Sequence, residues 1–141
     1  MREILFKAKR ITTGEWVEGW IVQNRQDTYQ NGFRIIETYG INYDELDDFE
    51  PSFISWKVEE STICQYTGLT DKNGNKIWEN DIIYNPAEER YFKVCWKKNG
   101  GIWVMHSIDD VNYIVDFEWH YWSHDVEVVG NIFDNKELIG E

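Results

Sequence analysis

The chain has 141 residues, enough for one hydrophobic core and short of two independent ones, so a single domain is expected over 1–141. Hydrophobic residues make up 42% and charged residues 28%, a balance that excludes wholesale disorder. Twenty-six acidic against fourteen basic residues give a net charge of −12, which repels phosphate backbones and anionic bilayers. Neither nucleic acid nor membrane is therefore an expected partner.

Eight Trp, eight Tyr and seven Phe favour strands and fill a small core with few side chains. Ile4 to Arg10 reads as a first strand with Ile4, Phe6 and Ala8 on one face. Thr12-Thr13-Gly14-Glu15 turns the chain, and Trp16 to Val22 returns. There Trp16, Glu18, Trp20 and Val22 alternate with Val17, Gly19 and Ile21, and mid-strand Gly19 marks a bulge or a close backbone approach. Residues 4–22 thus form an N-terminal hairpin. Residues 23–58 read as a variable insertion: a polar loop, a strand over Phe33–Tyr39, an acidic run Asn42–Glu50 suited to a minor helical turn near 43–50 and stopped by Pro51, then a short strand over Phe53–Val58.

A barrel-like β core is expected over 59–134. Its centre is Ile63–Leu69 and Ile77–Tyr84, two strand-like runs separated by Asp71-Lys72-Asn73-Gly74-Asn75. Asn73-Gly74 is a strong hairpin signal, because both residues tolerate the positive φ of a type I′ turn. Tyr91–Trp96 alternates Phe92, Val94 and Trp96 against Tyr91, Lys93 and Cys95. Lys97–Gly101 turns, Ile102–Met105 answers, and Val111, Tyr113, Val115, Phe117 and Trp119 alternate for nine residues. Val126–Phe133 closes the set with a kink at Gly130, and Asn135–Glu141 trails away polar. Turns every 8–12 residues between short strands make the fold class all-β, with short antiparallel hairpins forming coiled, barrel-like sheets.

Three stretches resemble the signature of the YopX family, small proteins found mostly in bacteriophages and prophages. The central one is Glu59-Glu60-Ser61-Thr62-Ile63-Cys64-Gln65-Tyr66-Thr67-Gly68-Leu69, followed by Asp71-Lys72-Asn73-Gly74 and Ile77-Trp78-Glu79-Asn80-Asp81-Ile82. The opening Arg2–Lys9 with Gly14–Gly19 and the closing Val126–Asn135 agree with it. Asn80 stands where the family usually has Gly, and Asn is the next best residue for a left-handed conformation. The resemblance implies an all-β fold and a phage or prophage setting. It implies no catalytic residues, since none are recognised for the family.

Few residues suggest chemistry. Asp71, Asn73 and Asn75 alternate as in a calcium loop, but Lys76 stands where such a loop needs Gly and Ile82 where it needs Glu, so a plain turn is expected. Glu118, His120 and His124 share one face of an extended strand and are the candidate metal ligands, suited to zinc, although no fixed-spacing metal motif surrounds them. Cys64 and Cys95 read as small buried hydrophobes. The acids Asp44, Glu45, Asp47, Asp48 and Glu50 form the densest charge block.

Without a leader-like opening or a long apolar run, the expected compartment is the cytoplasm. The expected role is that of a phage-type accessory protein without cofactor, which binds a protein partner or itself as a homo-oligomer. Trp20, Trp56, Trp78, Trp103 and Trp122 exceed what a core of this size buries, and surplus aromatics make interfaces. The rivals are an acidic DNA mimic that occupies a host nucleic-acid-binding protein and a metal-dependent enzyme centred on His120 and His124.

Overall fold

The computed structural model describes residues 4–24, 32–38, 53–116 and 125–140. Eleven strands lie in these segments: β1 Phe6–Lys9, β2 Trp16–Asn24, β3 Gly32–Thr38, β4 Phe53–Val58, β5 Cys64–Thr70, β6 Lys76–Trp78, β7 Asp81–Asn85, β8 Arg90–Lys97, β9 Ile102–Ser107, β10 Ile114–Asp116 and β11 Glu127–Asn131. The all-β class holds. The strands pair antiparallel in the orders β4-β3-β2-β1-β5-β6 and β10-β9-β8-β7-β11. Neither sheet closes into a barrel, because the end strands of each ladder have one neighbour only.

The described residues divide into two compact units, 4–65 and 66–140, and the chain passes from one to the other within β5. In the first, Ala8 faces Val17 across the β1–β2 ladder, and both are buried with Ile35 and Val58. The alternation read from the sequence sets the sides: Phe6, Ile21, Phe33 and Trp56 pack on this core. β4 swings back at its end, where Glu59 N donates to Lys9 O (2.9 Å) and Ile11 N to Lys57 O (3.1 Å). One isolated bridge, Arg10 to Val58, coils the sheet without completing a barrel.

Gly19 is a close-approach glycine. A Cβ there would sit 2.0 Å from the Ile36 carbonyl oxygen, and a backbone group cannot swing aside. β3 and β4 extend the ladder on β2, with Trp20 opposite Ile36 and Ile35 opposite Trp56. The helical turn expected near 43–50 and the stop at Pro51 lie outside the described residues.

The second unit packs Ile77, Ile83, Phe92, Val94, Trp103, Met105 and Val126 into its own core. Two sequence expectations shift here. Residues 111–113 are a turn, and the strand starts only at Ile114. Asp110 is the cause: its carboxylate accepts from Asn112 N (3.0 Å) and its carbonyl from Tyr113 N (3.0 Å), which captures the N–H groups a strand would need. The tail is not featureless either, since Lys136–Ile139 makes a 3-10 turn.

Gly19→Ala is expected to lower stability by about 3 kcal/mol or to prevent folding, because the added methyl meets backbone. Gly14→Ala, at φ 72° with nothing within 4 Å, is expected to cost about 1 kcal/mol from the left-handed backbone alone. Urea unfolding of the two variants checks the contrast.

Candidate functional site

The central hairpin is where the sequence signature concentrates, and each of its unusual residues has a backbone task. Asp71 and Asn75 close the loop through Asp71 N to Asn75 O (2.8 Å), and Gly74 N donates to Asp71 O (3.1 Å). Gly74 has φ 81°, whereas Asn73 is not among the residues with positive φ. The loop is therefore three residues with a left-handed glycine, not the two-residue type I′ turn that Asn73-Gly74 suggests.

The Asp71 side chain explains the difference. Its Oδ1 accepts from Asn73 N (2.9 Å) and Asn75 N (2.9 Å), which fixes the loop as an Asx turn. Its Oδ2 accepts from Val128 N (2.9 Å) and Asn75 Nδ2 (3.5 Å), so the same carboxylate ties the hairpin to β11. Burial pushes the Asp71 carboxyl up. The bonds from Val128, Asn75 and Asn73 more than offset this and hold it below its ordinary value. The acid is structural; no calcium-type geometry is needed to account for it.

The flanks continue the pattern. Gly68 at φ 86° marks the register shift between β5 and β6, where Thr67 Oγ1 donates to Ile77 O (2.7 Å) and accepts from Leu69 N (3.2 Å). Tyr66 packs against Trp78 with ring centroids 5.5 Å apart. Asn80 takes φ 69°, the left-handed conformation that glycine would supply. This corner splits the expected second strand into β6 and β7. Asp81 Oδ2 accepts from Trp78 N (2.8 Å), Asn80 N donates to Val94 O (2.8 Å), and Ile132 N donates to Asn80 O (3.1 Å). At the closing stretch, Asn135 Oδ1 accepts from Asn131 N (3.1 Å) and fills the place a Cβ on Gly130 would take.

Glu118, His120, His124 and Trp122 lie outside the described residues, as does the acidic block Asp44–Glu50. Among the described residues no three His, Cys, Asp or Glu side chains gather as metal ligands. Neither cysteine forms a disulfide. Cys64 is buried as expected, but Cys95 is partly exposed, because β8 turns Phe92 and Val94 to the core and Lys93 and Cys95 to the other side. That side carries a cleft of about 470 Å³ lined by Lys93, Cys95, His106, Ser107, Ile108, Ile132 and Ile139. Lys93 and His106 stand directly opposite in the β8–β9 register. Burial raises the Cys95 thiol above its ordinary range, the Lys93 ammonium lowers it and Glu79 raises it. A thiol held protonated in this way is a poor nucleophile.

A second feature is the outer side of the first unit. Opposite the Ala8–Val17–Ile35 core, strands β1 to β4 present Lys7, Lys9, Trp16, Glu18, Trp20, Val22, Arg34, Ile36, Ser55 and Lys57. Trp20 is 57% exposed and Val22 39%. Trp16 lies beneath Lys7 Nζ at 4.5 Å and Lys9 Nζ at 5.4 Å. Arg34 Nη1 donates to Ser55 Oγ (3.2 Å). Period-two alternation grouped Trp16, Glu18, Trp20 and Val22 on one side of β2, but only the strand pairing turns that side outward and sets four cations around it.

The chain matches the family model described as YopX protein over residues 7–140. It belongs to the YopX family. The match runs through 23–58, so the YopX region takes in β3 and β4 as well as the signature stretches. Among curated proteins none matches the sequence. The crystal structure of protein EF1440 from Enterococcus faecalis is similar in fold, with TM-score 0.55 and 19% identity over 99% of each chain. No helix among the described residues is long and apolar enough to cross a membrane.

Asp71→Asn is expected to cost about 2 kcal/mol at neutral pH, since one of two strong acceptors is lost while buried N–H groups remain. Because the folded carboxyl titrates below its unfolded value near 3.9, its contribution is present above that pH and disappears as pH falls through the folded value. Urea midpoints measured down the acid range are expected to converge for wild type and Asp71→Asn.

Proposed function

We propose that this YopX-family protein is a phage- or prophage-type accessory protein that acts by protein binding, and that it associates with copies of itself through the outer side of the first unit. The single observation behind this reading is Trp20, more than half exposed at the middle of a strand and flanked by Val22 and Ile36. An exposed Trp on a side that also carries Arg34 has the residue types of a binding hot spot rather than of ordinary surface.

Charge selects the partner. The described outer side holds Lys7, Lys9, Arg34 and Lys57 against one acid, Glu18, while the whole chain carries −12. Two such sides facing each other would set cations against cations. Docking on the acidic remainder of a second copy sets opposite charges together, so the contact is head-to-tail. In the signature hairpin the Thr67, Asp71 and Asp81 side chains are committed to backbone groups. A cytoplasmic setting accords with two cysteines that form no disulfide.

Light scattering across a concentration series at low salt is expected to show mass rising with concentration. The rise should weaken in molar salt and vanish in Trp20→Ser and in Lys57→Glu. A strict monomer at every concentration and salt, or a Trp20→Ser variant that associates like wild type, removes the proposal.

A further inference from the structure

The cleft on the second unit is independent of the Trp20 surface, and its chemistry is different. Its volume of about 470 Å³ falls within the range of small-molecule sites. One wall is apolar, built from Ile108, Ile132 and Ile139. The floor is the outward side of β8 and β9, where Lys93 and His106 pair across the ladder. Ser107 is not free to serve a ligand: its hydroxyl donates to the Asp109 carboxylate and accepts from Arg90 Nη1. Among the described residues no hydrogen bond or ion pair engages the Lys93 ammonium or the His106 ring. At the neighbouring Cys95 thiol, burial is the largest influence; of the two nearby charges, Lys93 acts more strongly than Glu79 and in the opposite sense.

We infer that this cleft binds a small carboxylate carried on an apolar body, with Lys93 and His106 taking the carboxylate and Ile108, Ile132 and Ile139 covering the rest. A lone inorganic anion leaves the isoleucine wall wet, and a neutral apolar molecule leaves the ammonium without a counter-charge. A carboxylate with a hydrocarbon body satisfies both. Such a group comes from a free acyl chain or from the C-terminus of a peptide ending in an apolar residue.

The test titrates the full chain with octanoate and, separately, N-acetyl-leucine. It follows the backbone amides of Lys93, Cys95 and His106 by NMR and the rate of Cys95 alkylation by iodoacetamide. Cys64, 1% exposed, is the unreactive control. Saturable amide shifts with slowed alkylation are expected from at least one of the two. Octanoate alone indicates the acyl source, and N-acetyl-leucine alone indicates the peptide source. Octanol and inorganic phosphate are each expected to bind roughly tenfold more weakly than the better carboxylate, as is that carboxylate to Lys93→Met, while Lys93→Arg retains binding. The inference is overturned if neither carboxylate shifts these amides, if octanol or phosphate binds as tightly, or if Lys93→Met, folded by its NMR spectrum, binds like wild type.

Discussion

One carboxylate holds the second unit together at the corner formed by its central hairpin. Asp71 sits at the root of a three-residue loop and accepts from three backbone N–H groups and one side-chain amide. Two of those backbone donors belong to its own loop and one to β11, so a single buried acid sets both the turn and the docking of a strand 57 residues away. Charge-assisted bonds of this kind are the stronger ones, and stripping the carboxylate of water is tolerable only because every donor is aimed at it. The bond from Lys72 N to Val126 O (3.1 Å) runs alongside. The Lys72–Glu127 ion pair at 3.6 Å is exposed on both sides and adds little.

Seen from that corner, the family signature is a folding device. Thr67 and Gly68 absorb a register shift, Gly74 and Asn80 take left-handed backbone, Asp71 and Asp81 satisfy N–H groups, and Tyr66, Ile77 and Trp78 are buried. Asn80 does the work of glycine by accepting φ 69°, at a cost that the bonds to Val94 and Ile132 offset. With Thr67, Asp71 and Asp81 committed to backbone groups, the motif identifies the architecture and is silent about activity, and the strands expose other surfaces.

Those surfaces show why a summed charge misleads. A value of −12 describes the chain as a whole, yet pairing of β1 through β4 collects Lys7, Lys9, Arg34 and Lys57 on one side. Charges more than about 8–10 Å apart are screened at physiological salt, so the field at this side is set by the local cations. The cleft on β8 and β9 follows the same logic at smaller scale, with Lys93 and His106 brought together only by register.

Local chemistry in the sequence was enough to determine the all-β class, which residues share a side of β1, β2 and β8, and the glycines that matter. Period-two alternation and turn residues act over a few positions, and Gly19, Gly74 and Asn80 carry their constraints in their own φ or missing Cβ. The candidate sites were not legible in this way. Glu118, His120 and His124 attracted notice by residue type, whereas Lys93 and His106 are thirteen positions apart and look unremarkable until β8 and β9 are paired. The Asn73-Gly74 turn type follows from the short-range bonds of Asp71 Oδ1, whereas the docking of that loop on β11 and the corner that divides Ile77–Tyr84 into two strands were settled by tertiary contacts. The last two involve a hydrogen bond to a distant partner, Val128 for Asp71 and Val94 for Asn80, and no local pattern encodes a partner's position.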